Sequence, residues 1–125
     1  MRSWLLIPLL LAAPAAVPAQ QPAAVDVQLS SFDFTPSTIH LHAGQPVTLR
    51  LANTSSGGHN FAAPEFFAAA ALAGGQTAAI REGTIEVPEG QTVSLTLTPA
   101  RGTYRLRCTH TMHSTFGMRG EIVVE

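Results

Sequence analysis

Three residues near the C-terminus carry metal-binding donor atoms at a regular spacing. His113 follows Cys108 after four intervening residues, and Met118 follows His113 after four more. A thiolate, an imidazole and a thioether together suit copper, because the soft sulfur donors stabilise Cu(I) whereas imidazole accepts both oxidation states. This loop is therefore a candidate copper site that could carry single electrons.

His59 is the candidate for a fourth donor. It lies 49 residues before Cys108 and follows the turn-rich stretch 53–58, so we expect it in a turn. Copper electron-transfer sites use two imidazoles and one thiolate in a plane with a weak axial thioether, and His59 would complete that set. Asn60, directly after it, could hydrogen-bond near the thiolate and fasten one ligand loop to the other.

The loop between Cys108 and His113 contains two further donors, His110 and Met112. A ligand at His110 would stand so close to Cys108 along the chain that the plane around the metal would be strained. His113 keeps its spacing to Met118 and to the last predicted strand, so we prefer His113 over His110 as the ligand.

At His59-Asn60 and across 108–118 the chain resembles the cupredoxins, the type 1 blue copper proteins. In that family the first histidine is followed by asparagine, and the Cys–His–Met loop leads into the last strand. The loop spacing is most similar to rusticyanin and auracyanin, although the family usually has Pro and Gly where this loop has 109–112. The resemblance covers about residues 25–125. It implies one copper ion, cycling between Cu(I) and Cu(II), held by His59, Cys108, His113 and Met118.

The elements that hold these donors are predicted to be short strands. Apolar and polar residues alternate in seven segments, which is typical of strands with one face on a core. This pattern predicts an all-β Greek-key sandwich or barrel, in agreement with a cupredoxin-like fold. Residues 64–72 instead predict one short helix, which begins at Pro64 and ends before Gly74 and Gly75. The alternating segments are 25–29, 39–42, 47–51, 85–87, 93–97, 104–108 and 122–125.

The N-terminus has the layout of a secretory signal peptide: a positive Arg2, an apolar stretch over 4–11 and small residues up to Ala19. We predict a signal peptide over 1–19, a linker over 20–24 and a cupredoxin domain over 25–125, and hence a periplasmic or secreted protein. The apolar stretch is short and interrupted by Pro8, so we expect no membrane anchor in the mature chain.

The charge of the mature chain is close to neutral. Without Arg2 it has six arginines and eight acidic residues, a formal charge of −2. No basic face suited to nucleic acid is apparent, and no charge cluster predicts steered docking. His40 and His42 alternate with apolar residues and are predicted on the solvent-facing side of a strand. A single cysteine cannot form an internal disulfide, which favours a chemical use of Cys108.

These observations predict an electron carrier rather than an enzyme, because no catalytic constellation stands out and the chain is too short for further copper domains. The resemblance to cupredoxins implies that His113 emerges through an apolar patch, whose surroundings would be Met112, Thr115 and Phe116. We expect a monomer that docks through this patch onto a redox protein such as a c-type cytochrome, an oxidase or a reductase. The alternative is a periplasmic copper chaperone or copper-resistance protein, which would also use Cys, His and Met. His110 and Met112 give that alternative some support.

Overall fold

The structure is a computed structural model that describes residues 3–13, 21–74, 79–110 and 118–125. The predicted cleavage point after Ala19 lies outside the described residues. Residues 3–13 are exposed and have no regular secondary structure. Among the described residues, no helix has the length and apolar character needed to cross a membrane.

Ten strands form two five-stranded sheets in the described part of the domain. The strand order is β2-β1-β4-β8-β6 in the first sheet and β3-β10-β9-β5-β7 in the second. β1 runs parallel to β4 and β3 runs parallel to β10, whereas the other pairings are antiparallel. The predicted all-β Greek-key sandwich with one short helix is confirmed. The strands are β1 (Ala23–Ser30), β2 (Asp33–Thr35), β3 (Thr38–Leu41), β4 (Val47–Asn53), β5 (His59–Ala62), β6 (Ala71–Leu72), β7 (Thr84–Val87), β8 (Thr92–Thr98), β9 (Gly102–Arg107) and β10 (Arg119–Val124).

The core lies between the two sheets and follows the alternation of the sequence. In β4, for example, Leu49 and Leu51 are buried whereas Arg50 between them is exposed. Aromatic rings fill the end of the core beside the helix, where the Phe61 and Phe67 ring centroids are 6.0 Å apart. Burying these large apolar side chains supplies most of the free energy that holds the sheets together. His40 is exposed on the outer side of β3, as predicted.

The helix α1 spans Pro64–Ala69 and is shorter than the predicted 64–72. Ala70 is already extended, with φ −81° and ψ 152°. The next two residues form β6, which pairs with the end of β8. The predicted end of the helix is wrong: alanine and leucine are good helix formers, but intrinsic propensity is a weak preference, and pairing of Ala71 and Leu72 with the edge of the sheet outweighs it.

β5 was not predicted, because it does not alternate: all four of its residues are buried. It lies between β9 and β7 in the second sheet and is covered on both faces. The expectation that His59 belongs to a turn is therefore wrong, since His59 is the first residue of this strand. A buried histidine and a buried asparagine in one short strand need polar partners, and these are found at the candidate metal centre.

Candidate metal centre

The second sheet brings three of the four predicted ligands to one of its ends. His59 begins β5, Cys108 directly follows β9, and Met118 directly precedes β10. β9 lies between β5 and β10 in the sheet, and both pairings are antiparallel, so the three residues lie on adjacent strand ends. The fourth predicted ligand, His113, lies outside the described residues, as does Met112.

Cys108 and His59 face each other in the protein interior. The Cys108 Sγ atom lies 3.8 Å from His59 Nδ1, and the two residues are 0% and 3% exposed. With the bond lengths typical of zinc–thiolate and zinc–imidazole sites, two donors on one ion at an angle of about 120° would stand about 3.8 Å apart. The two donor atoms are thus close enough to bind one metal ion, and they are of the types that copper prefers.

Met118 is fully buried beside this pair, at 0% exposure. Its backbone oxygen accepts a hydrogen bond of 3.1 Å from the backbone N–H of Cys108. This bond extends the β9–β10 ladder by one step, so Cys108 and Met118 are fixed relative to each other by the backbone. Among the described residues no group of three His, Cys, Asp or Glu side chains could hold a metal, so the predicted set depends on Met118 and on His113.

The Cys108 sulfur also accepts a hydrogen bond from the protein. The backbone N–H of Asn60 points at Sγ over 3.5 Å. Hydrogen bonds of this kind stabilise the charged thiolate and, in copper sites, tune the reduction potential. The strand that provides His59 therefore provides this donor as well.

The side chain of Asn60 fastens the two ligand segments together. Its Oδ1 accepts the backbone N–H of Thr109 over 2.8 Å, and its Nδ2 donates to Thr109 Oγ1 over 2.7 Å. The same amide donates to Glu86 Oε1 over 3.0 Å. Asn60 is 2% exposed, and no buried side-chain polar atom of the described residues lacks a hydrogen-bond partner. This is the fastening role that the sequence predicted for Asn60.

Glu86 of β7 extends the network to His110. The His110 Nε2 atom donates to Glu86 Oε2 over 2.9 Å. This nitrogen is thus hydrogen-bonded to a carboxylate. The contact fastens the segment of His110 to β7, a structural role that the sequence did not reveal. Glu86 itself was missed, since nothing in its local sequence distinguishes it from other exposed strand residues. Only the pairing of β5 with β7 reveals its role, because Glu86 stands directly opposite Asn60 in that pairing.

The network lowers the pKa of the Glu86 carboxyl. Partial burial alone would raise this pKa, but the hydrogen bonds from Asn60 and His110, together with the charge of His110, outweigh that effect. The carboxylate form is therefore the form that holds the network together.

We expect the contribution of Glu86 to stability to disappear in acid. Because its pKa is lower in the folded state, the contribution is fully present above the ordinary glutamate pKa and is lost as the pH falls through the lowered value. Metal-free Glu86→Gln should thus unfold at slightly lower urea than wild type at neutral pH, and the difference should vanish in acid. Glu89→Gln, at an exposed turn position, is the control. A difference that does not change with pH would contradict this assignment.

Comparison with known proteins finds a matching domain family and several similar solved structures. The sequence-family model of the cupredoxin-like domain matches residues 3–124 of this chain. Auracyanin B is 24% identical with a TM-score of 0.60, over 89% of this chain and 95% of that one. Dithionite-reduced auracyanin from Roseiflexus castenholzii is 20% identical with a TM-score of 0.61, over 85% and 99%. No curated protein sequence matches.

A third similar structure carries a chemical description of its own. Auracyanin A from Chloroflexus aurantiacus, a "blue" copper protein, is 25% identical with a TM-score of 0.57, over 84% of this chain and 100% of that one. The identities of the first two show a shared fold only. The agreement in fold extends over nearly the whole length of each auracyanin.

Proposed function

The chain belongs to the cupredoxin-like domain family, and on that premise we propose that it binds one copper ion and carries single electrons on it. The proposed ligands are His59, Cys108, His113 and Met118. Bound copper would supply a one-electron change between Cu(I) and Cu(II). The observation that carries the proposal is the buried 3.8 Å contact between the Cys108 thiol and the His59 imidazole.

The residues around the proposed ligands support electron transfer because they hold the donors in place. His59 is part of a strand paired on both sides, and Cys108 is fixed to Met118 by a backbone hydrogen bond. Asn60 ties the two segments together. A site held this rigidly would change little between oxidation states, which favours rapid one-electron exchange over catalysis. We therefore propose a carrier and not an enzyme.

An optical titration tests the proposal. Copper(II) added to the metal-free mature protein should produce one intense blue absorption that saturates at one ion per chain, because a thiolate in a trigonal site gives that colour. A protein that stays colourless and retains only Cu(I) would contradict the proposal. That outcome would favour the alternative function of a periplasmic copper chaperone or copper-resistance protein.

The two histidines of the loop give a matched pair of variants. We expect His113→Gln to abolish or strongly shift the blue absorption, because it removes one of the two in-plane imidazoles. His110→Gln should keep the absorption nearly unchanged, since the His110 Nε2 atom is engaged by Glu86. Optical and electron paramagnetic resonance spectra of both variants distinguish these results. Loss of the colour in His110→Gln alone would make His110 the ligand.

We further propose that the protein is exported and works in the periplasm or outside the cell. The apolar residues of the predicted signal peptide support this, since those from Trp4 to Ile7 are 87–93% exposed instead of joining the core. Mass spectrometry of the exported chain should find Gln20 at its N-terminus. The proposed partner is a redox protein such as a c-type cytochrome, an oxidase or a reductase, with the protein acting as a monomer and without nucleic acid.

A further inference from the structure

Three of the seven basic residues of the chain lie together on the outer face of the second sheet. Arg105 and Arg107 alternate with buried Leu106 along β9 and are exposed. Arg119 begins β10 and stands directly opposite Arg107. The three arginines, which we call the arginine patch, line one groove of about 460 Å³. The sequence shows no run of basic residues, because the two strands contribute them at alternate positions.

The pairing of Arg107 with Arg119 is unfavourable for the fold alone. Like charges directly opposite each other destabilise a sheet. Two carboxylates are close by in the fold: Glu121 is the register partner of Arg105, and Glu65 borders a pocket together with Arg105 and Arg107. Within the described residues, however, neither Arg105 nor Arg107 forms an ion pair within 4.0 Å. Local rules are most often broken where a site serves a function.

The arginine patch lies immediately beside the candidate metal centre. Arg107 precedes Cys108 and Arg119 follows Met118. Because successive side chains on a strand point to opposite faces, the two sulfur residues are buried whereas their arginine neighbours face solvent. A molecule bound at the patch would therefore be held within one residue of two proposed ligands.

We propose that the arginine patch docks a carboxylate-rich surface of the protein that exchanges electrons with the proposed copper centre; this inference rests on the proposed function. Guanidinium groups bind carboxylates through paired, charge-assisted hydrogen bonds. Redox complexes are small and brief, and complementary charge raises their rate of encounter. The chain has a formal charge of only −1, so attraction of an acidic partner would come from this local patch. This proposal differs from the expectation, drawn from the sequence, that charge-steered docking is weak.

Binding to the metal-free protein provides the first test, and it is independent of copper. In a nuclear magnetic resonance titration with a hexaglutamate peptide, amide shifts should cluster on β9 and β10 around the arginine patch. The double variant Arg107→Gln/Arg119→Gln should bind the peptide about tenfold more weakly or worse. The control variant Arg101→Gln/Arg50→Gln changes two exposed arginines outside the patch. It removes the same charge and should bind the peptide like wild type.

Inorganic phosphate at matched ionic strength is the comparison ligand. If phosphate bound as tightly as the peptide, the patch would be a small-anion site and the docking inference would be overturned.

Electron-transfer rates with small charged oxidants provide the second test. At low salt, oxidation of the reduced copper protein by anionic hexacyanoferrate(III) should be about tenfold slower in Arg107→Gln/Arg119→Gln than in wild type. Oxidation by the cationic tris(phenanthroline)cobalt(III) should not slow, which controls for a change in potential. Equal rates with hexacyanoferrate(III) in a protein that is still blue would overturn the docking inference alone. A wild-type protein that never becomes blue would instead refute the proposed function and leave the peptide result to stand.

Discussion

Cys108→Ser should abolish the blue absorption and one-electron exchange completely, while the fold survives. The colour of a blue copper site arises from its thiolate, and a serine hydroxyl is a hard, neutral donor that cannot replace it. The fold should survive because serine is close to cysteine in size and its oxygen can accept the Asn60 N–H that now points at Sγ. We expect a loss of stability of about 1–3 kcal/mol, from placing a hydroxyl at a fully buried position. Copper-titrated absorption spectra and urea unfolding of the metal-free protein measure the two effects separately.

The appropriate control for Cys108→Ser lies on the same strand. Thr103→Ser is an equally small change at an exposed position of β9, far from the loop, and it should leave both the colour and the stability unchanged. If Cys108→Ser kept an intense blue absorption, the thiolate would not be a ligand and the proposed electron carrier would be refuted. If Cys108→Ser lost its colour only because it failed to fold, the metal-free variant would show no cooperative unfolding transition in urea.

The strands with one buried and one exposed face could be predicted from the sequence, whereas β5, which is buried on both faces, could not. β4 and β8 alternate cleanly because one side of each packs on the core and the other faces solvent. β5 carries His59 and Asn60 but is buried on every residue, so periodicity gives no signal there. The same burial makes β5 suited to a metal site, because it excludes water from the imidazole and the thiol.

The residues of the candidate site also fall into two groups, those that the sequence could predict and those that it could not. Cys108, His113 and Met118 lie on one continuous stretch of sequence, which is why their order and spacing could form a motif that predicts them as ligands. The contact of Glu86 with His110 joins two residues 24 apart in the sequence, one on β7 and the other beyond the end of β9. Such contacts are set by the pairing of β5 with β7 and of β5 with β9, which no local pattern specifies. The arginine patch escaped prediction for the same reason.

Asn60→Ala should have the second large effect, on both stability and copper affinity. Removal of this side chain leaves the backbone N–H of Thr109 without its 2.8 Å partner and cuts the links to Thr109 Oγ1 and Glu86. Loss of buried hydrogen-bond partners costs about 1–3 kcal/mol in the free energy of unfolding. Because Asn60 holds the segment of Cys108 against that of His59, copper affinity should also fall, by about 10–100-fold as for other residues that orient metal ligands. Urea unfolding of the metal-free protein and competitive copper titration measure these two losses.

Asn53→Ala separates a general loss of stability from a loss of ligand positioning. Asn53 is also 2% exposed and makes a comparable set of hydrogen bonds, to Gly57, Val87 and Ser55, but none of them fastens the segment that carries Cys108. Both variants should therefore lose similar stability, whereas only Asn60→Ala should weaken copper binding and shift the blue absorption. Equal effects of the two variants on copper would show that Asn60 acts only through the stability of the fold. An unchanged copper affinity in Asn60→Ala would mean that the backbone N–H to Sγ and the Cys108–Met118 ladder bond are sufficient to position the thiolate.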